Sequence, residues 1–142
     1  MLTVIIAGHG PLADALLTSA RMIWGALPRT HAVTLEEHGG ITAFQQVFTD
    51  ALTEAVYHSS GVLVLCDLQS GTPFNLACRF AMTPGHPVPV AVVAGVNLPM
   101  VLMSAELLEE PDVHQVARRL IAQAREAVSG FRPAAAPQPD LF

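Results

Sequence analysis

Short apolar runs alternate with amphipathic segments along most of the chain. The run "LTVIIA" (2–7) is continuous and β-branched, as expected of a strand covered on both faces. Pro11 suits the first position of a helix, and Leu12, Leu16, Ala20, Ile23 and Trp24 follow at helical spacing up to Gly25. A short second strand is predicted at "THAVTLE" (30–36). The next helix carries the clearest signal, because Phe44, Val47, Phe48, Ala51, Leu52, Ala55 and Val56 form one apolar stripe. "GVLVLC" (61–66) reads as a third buried strand and is followed by the turn-rich "DLQSGTP". A helix starts there, with Thr72 as N-cap and Pro73 at its first position, and runs to about Met82. "VPVAVVA" supplies a fourth strand. Helices from about Pro99 to Leu108 and from about Asp112 to Ser129 complete the pattern.

Strands alternating with helices predict an α/β fold, doubly wound, with a mostly parallel four-stranded sheet in the order 2-1-3-4 and helices on both faces. Residues 1–130 read as one domain, and the Pro- and Ala-rich residues 131–142 as a disordered tail. In such sheets ligands sit beyond the carboxyl ends of the strands, where the strand order reverses. The loops "GHGP" and "DLQSGTP" follow strands one and three, which are neighbours at that point. The two loops should therefore face each other.

Composition narrows the function. Of 142 residues, 51% are apolar and only 13% charged, which suits one oily domain of ordinary size. Twelve carboxylates stand against seven basic residues with no basic stripe, so nucleic acid is not an expected partner. All seven basic residues are arginines. Without a lysine there is neither a Walker A loop nor Schiff-base chemistry. Cys66 and Cys78 have no CxxC or zinc spacing and read as free thiols of a reducing compartment. His31, His38, His58, His86 and His114 show no ligand spacing, so neither a metal site nor a cofactor is expected. The glutamates of "EEH" and "LLEE" read as solvated charges, and Met100 and Met103 as packing residues. The N-terminus lacks the features of a signal peptide. The uncharged stretch 87–105 approaches a membrane span in length, but Pro87, Pro89, Gly95, Asn97 and Pro99 break it into a strand and a helix.

The facing loops carry the candidate chemistry. His9, between Gly8 and Gly10, offers a nucleophilic or basic ring nitrogen, and Asp67 offers a carboxylate just past strand three. Gly71 and Thr72 offer backbone N–H groups and a hydroxyl, and two helix N-termini add unpaired donors to make an anion site. A carboxylate that accepts one ring N–H fixes the tautomer and turns the other nitrogen's lone pair outward. Phosphoryl transfer through histidine then needs little beyond positioning and neutralisation of the oxygens.

The segments "VIIAGHGPLADALLTSARMIWG", "GVLVLCDLQSGTPFNLACRFAM" and "VAVVAGVNLPMVLMSAELL" resemble the enzyme IIA component of the mannose-family sugar phosphotransferase system. The likeness covers residues 1 to about 128. The resemblance implies that His9 is the phosphorylated histidine, that Asp67 hydrogen-bonds its ring, and that Thr72 lies beside the phosphoryl group. Gly10, Ser70 and Gly71 join Thr72 as candidate phosphate-binding residues. It also implies a cytoplasmic carrier that accepts its phosphoryl group from HPr and delivers it to a IIB partner. IIB in turn serves membrane IIC and IID proteins that take up a sugar or amino sugar. A homodimer is implied as well, with a C-terminal strand swapped onto the partner's sheet edge. The family usually has two glycines before its Ser/Thr-Pro step, whereas this chain has Ser70-Gly71. Serine disfavours positive φ, so either the loop is shaped differently or Ser70 adds a phosphate contact. Only "VSGFR" is available as a crossing strand, and "PAAAPQPDLF" resembles a linker stub of a stand-alone IIA. Two rival readings are a phosphoryl-donor domain for dihydroxyacetone kinase, which resembles "HS" where this chain has "HG", and a binding module regulated by phosphorylation.

Overall fold

A computed structural model describes residues 1–133. Four parallel strands form one sheet: β1 (Thr3–His9), β2 (Thr30–Leu35), β3 (Val62–Cys66) and β4 (Val90–Ala94), in the order β2-β1-β3-β4. Five helices connect and follow them: α1 (Leu12–Trp24), α2 (Gly40–Tyr57), α3 (Thr72–Met82), α4 (Leu98–Ser104) and α5 (Val113–Glu126). The predicted α/β fold and strand order are the observed ones.

The continuous apolar runs are explained by burial on both faces. On β1, Val4 and Ile6 join Leu63, Leu65, Ala91 and Val93 in a core shared with α1, α4 and α5. Ile5 and Ala7 point the other way and join Val62, Val64 and Cys66 in a second core against α2 and α3. Successive side chains alternate between the two faces, so every position of the run must be apolar. The stretch 87–105 divides into β4 and α4, with the Asn97 side chain accepting from the Met100 N–H at the start of α4. Among the described residues no helix is long and apolar enough to cross a membrane.

Several local expectations need correction. The buried residues of α1 are Ala13, Leu17 and Ala20, whereas Leu12, Ile23 and Trp24 of the predicted stripe are exposed, Ile23 at 64%. Two apolar arcs run along this helix, and the one bearing the small residues Ala13 and Ala20 lies against the sheet. In α2, Val47 is 58% exposed although the rest of the stripe is buried or half-buried. The α4 helix ends at Ser104, short of Leu108. Its last turn tightens through i→i−3 bonds from Glu106 to Met103 and from Leu107 to Ser104, and the Ser104 hydroxyl donates to the Val101 carbonyl.

Two helix starts are shifted by one residue. The Pro11 carbonyl accepts from the Ala15 N–H, which makes Pro11 the N-cap of α1. Similarly Gly71, not Thr72, caps α3: its carbonyl accepts from the Asn75 N–H, and no side chain caps that helix. At the C-terminal end, residues 128–133 form neither helix nor strand within the chain. From residue 134 onward the expected tail lies outside the described residues.

Candidate functional site

Parallel pairing brings the two loops together. The β1–β3 register sets Ala7 against Cys66, and the Asp67 N–H continues the ladder to the Ala7 carbonyl at 3.2 Å. The chains leave the sheet there, side by side. His9 ends β1 and Asp67 follows β3, so the two side chains meet at the carboxyl end of the sheet, where the strand order reverses.

One carboxylate oxygen holds both ends of the histidine. Asp67 Oδ2 accepts from the His9 backbone N–H at 2.9 Å and lies 2.8 Å from His9 Nδ1. The other oxygen, Oδ1, accepts from the Leu68 N–H at 2.8 Å. The Asp67 side chain is only 7% exposed, against 44% for His9. Burial alone would push the Asp67 carboxyl up. The backbone and ring hydrogen bonds from His9, the charge of that ring and the Leu68 N–H together outweigh it and hold the group below the usual carboxylate range. An ionised Asp67 accepts only, so Nδ1 carries the proton and Nε2 presents its lone pair. Among the described residues Nε2 has no partner.

Glycines set the spacing. A Cβ on Gly8 would stand 3.2 Å from Asp67 Cγ and Oδ2, and a Cβ on Gly71 would stand 3.2 Å from His9 Cε1. Gly8 was legible in the sequence only as a neighbour of His9; its contact with Asp67 comes from the pairing of β1 with β3. Asn75 had no assigned role, yet its side-chain amide donates to the Ser70 carbonyl at 3.3 Å and braces the loop.

Ser70 bears on the expected change of loop shape. Its φ is +65°, so the glycine-like turn is kept with a serine in the left-handed region, at a cost of about 1–2 kcal/mol. Thr72 occupies the first turn of α3, where its hydroxyl is not used as a cap. The Gly71 and Thr72 amides have no intrahelical acceptor and are free for an anion. Gly10 differs. At φ +58° its N–H donates to the Leu35 carbonyl at 2.9 Å, so that amide extends the β1–β2 ladder. Gly10 thus shapes the wall beside His9, and the expected phosphate contact through its amide would compete with that bond.

A cleft of about 490 Å³ opens beside the imidazole, lined by His9, Gly10, Leu35, Glu36, Glu37, Gly40 and Ile41. Glu36 and Glu37 are exposed, as solvated charges should be, but they also wall this cleft, a placement the sequence did not reveal. His38 lines a neighbouring depression with Asp14 and Thr34, whereas His31 lies with Arg29 and His58 in another depression. The Cys66 thiol is pushed up to about 12, chiefly by burial and further by Asp67 and Cys78, and burial also raises Cys78. Both are free cysteines, and the raised values favour the protonated thiol over the reactive thiolate. Among the described residues no cluster of three or more His, Cys, Asp or Glu could hold a metal ion.

Known proteins resemble this chain in sequence and fold. The EIIA-man family, described as "PTS system fructose IIA component", matches residues 3–121. The fructose-specific EIIA component of Bacillus subtilis is 32% identical over 127 residues, covering 89% of this chain and 84% of the relative. The mannose-specific EIIAB component of Escherichia coli K12 is 27% identical over 92% of this chain, which corresponds to 40% of that longer protein. Among solved structures, the mannose/sorbose-specific IIA subunit from Enterococcus faecalis superimposes with a TM-score of 0.81 at 30% identity, covering 95% of this chain and 98% of that one. The chain therefore belongs to the EIIA-man family of phosphotransferase-system IIA components, whose role is phosphotransfer in sugar uptake.

Proposed function

We propose that the protein is a cytoplasmic phosphoryl carrier that takes a phosphoryl group from phospho-HPr onto His9 Nε2 and hands it to a IIB partner. The reading rests above all on one observation: a half-exposed imidazole whose Nδ1 is held at 2.8 Å by a nearly buried carboxylate. The Nε2 lone pair attacks phosphorus in line while the donor's nitrogen–phosphorus bond breaks, and the donor imidazole leaves with that electron pair. With Nδ1 still protonated, the phosphorylated ring carries positive charge, which ionised Asp67 stabilises. The Gly71 and Thr72 amides, the Thr72 hydroxyl and the Ser70 hydroxyl meet the phosphoryl oxygens. Delivery to IIB runs the same steps with His9 as the leaving group. No metal is needed, because the donor is itself an activated phosphohistidine. IIC and IID then use the group indirectly, through IIB.

Assembly belongs to the same reading. The outer edge of β4 has no strand partner within the described residues, and a groove of about 420 Å³ beside it is lined in part by Val92, Ala94, Ile121 and Val128. Val128 and Phe131, in the segment read as a crossing strand, are exposed. A homodimer in which this segment pairs with the partner's β4 covers both features.

The test is incubation with phosphoenolpyruvate, enzyme I and HPr, followed by intact-mass measurement. Wild type should gain one acid-labile phosphoryl group and folded His9→Ala none. Labelling retained in the variant would move the site elsewhere.

A further inference from the structure

A trans peptide is planar, so its carbonyl and its N–H point in opposite directions. Whatever holds the carbonyl therefore aims the amide across the same plane. In the loop before α3, the Ser70 carbonyl shares a plane with the Gly71 N–H, and the Gly71 carbonyl shares one with the Thr72 N–H. Both carbonyls are held by Asn75. Its side-chain Nδ2 donates to the Ser70 carbonyl at 3.3 Å, and its backbone N–H donates to the Gly71 carbonyl at 2.9 Å. The Gly71 and Thr72 N–H groups then point away from Asn75, and neither has an acceptor among the described residues.

The backbone bond is ordinary helix and any residue but proline could make it. The bond to Ser70 needs this side chain, and Gly71 is the reason the loop needs the bond. A Cβ on Gly71 would stand 3.2 Å from His9 Cε1, so the close approach to the imidazole favours glycine. The same missing Cβ lets glycine take φ of either sign, which leaves the Ser70–Gly71 peptide free to turn over. Turned over, it would present a carbonyl oxygen to the site in place of an N–H.

We infer that Asn75 is a positioning residue for phosphoryl transfer: by holding the Ser70 carbonyl it keeps the Gly71 N–H aimed at the phosphoryl oxygens before they arrive. This rests on the phosphoryl-acceptor reading of His9. Donors fixed in advance need no reorganisation as the group crosses, so the effect falls on the saturated transfer rate rather than on donor encounter. Asn75 is exposed and lies in the first turn of α3, so truncating it leaves the core intact.

The experiment compares wild type, Asn75→Ala and Asn75→Asp in rapid-quench transfer from phosphorylated HPr over a range of donor concentrations. Amide proton shifts of wild type and Asn75→Ala are recorded before and after phosphorylation. Asn75→Ala should keep its circular dichroism, lose about tenfold in saturated rate and hold its half-saturating donor concentration within about twofold. Asn75→Asp suits a helix start but sets an acceptor against the Ser70 carbonyl. Its Tm should hold while its rate falls at least as far. In wild type the Gly71 and Thr72 amide protons should both move downfield on phosphorylation, as charge-assisted hydrogen bonds form. In Asn75→Ala the Thr72 shift should persist, because the residue 75 N–H still holds the Gly71 carbonyl, and the Gly71 shift should shrink. A wild-type saturated rate in either folded variant, or equal Gly71 shifts in wild type and Asn75→Ala, would overturn the inference and leave the acceptor reading intact. A change in half-saturation alone would also overturn it, by moving Asn75 from positioning to docking. No transfer to folded wild type would instead overturn the acceptor reading, and this inference with it.

Discussion

Asp67 does two jobs with one oxygen, since Oδ2 meets both the backbone N–H and Nδ1 of His9. Asp67→Asn keeps the size but removes the charge that steadies a phosphorylated ring. Phosphoryl uptake should fall roughly a hundredfold in a folded protein, measured by rapid quench. The same group links stability to pH. Its folded value lies below its ordinary 3.8, so the ionised carboxylate stabilises the fold above about pH 4, and that contribution is lost as pH falls through the folded value. Unfolding midpoints measured between neutral pH and strong acid should therefore drop less steeply for Asp67→Asn than for wild type below pH 4. Ser70 bears on strain as well as on chemistry. Ser70→Gly relieves the left-handed serine but loosens the unfolded chain, for a net gain of about 0.5–1 kcal/mol. A higher Tm with slower phosphoryl uptake is expected; uptake at the wild-type rate would deny the hydroxyl any contact with phosphate. The types of these residues were legible in the sequence, and the family resemblance already implied the bond between Asp67 and the His9 ring. The second bond, from the His9 backbone N–H to the same oxygen, was not, because residues 58 positions apart meet only through strand pairing.

The elements themselves were well marked, and their errors share a cause. Periodicity locates an apolar face but does not choose between two. On α1 the arc of Ala13, Leu17 and Ala20 won over that of Leu12 and Ile23, since small side chains let the helix lie close to the sheet. On α2 the outcome was clearer, with Phe48 1% exposed and its ring centroid 5.0 Å from that of Phe44. Phe48→Ala should cost about 3–5 kcal/mol, read by denaturant unfolding, because it leaves a cavity between helix and sheet. Val47→Ala, one position along on the exposed side, should stay within about 0.5 kcal/mol. Helix starts were misplaced by one residue in opposite directions: α1 begins one residue later than expected, with Pro11 as its cap, and α3 one residue earlier, with Gly71 in place of Thr72. That shift has a consequence for chemistry: Thr72 is freed from capping and left beside the anion site.

At the scale of the whole molecule, the order β2-β1-β3-β4 creates the site, because it makes the ends of β1 and β3 neighbours. It also leaves β2 and β4 as edges. If the segment around Phe131 covers the β4 edge of a second copy, Phe131→Glu should shift the protein from dimer towards monomer by light scattering without changing its circular dichroism. A wild type already monomeric at working concentration would refute the swapped arrangement. The sequence by itself determined the alternation of elements, the doubly covered sheet and the chemical types at the site, because these depend on local periodicity and on residues adjacent in the chain. The tertiary structure alone decided which oxygen of Asp67 holds His9, that Gly10's amide is taken by Leu35, that Ser70 bears a positive φ, and that Glu36 and Glu37 wall the histidine's cleft. The reason is that hydrogen bonds and electrostatic fields act through space, and only folding brings distant parts of the chain within their reach.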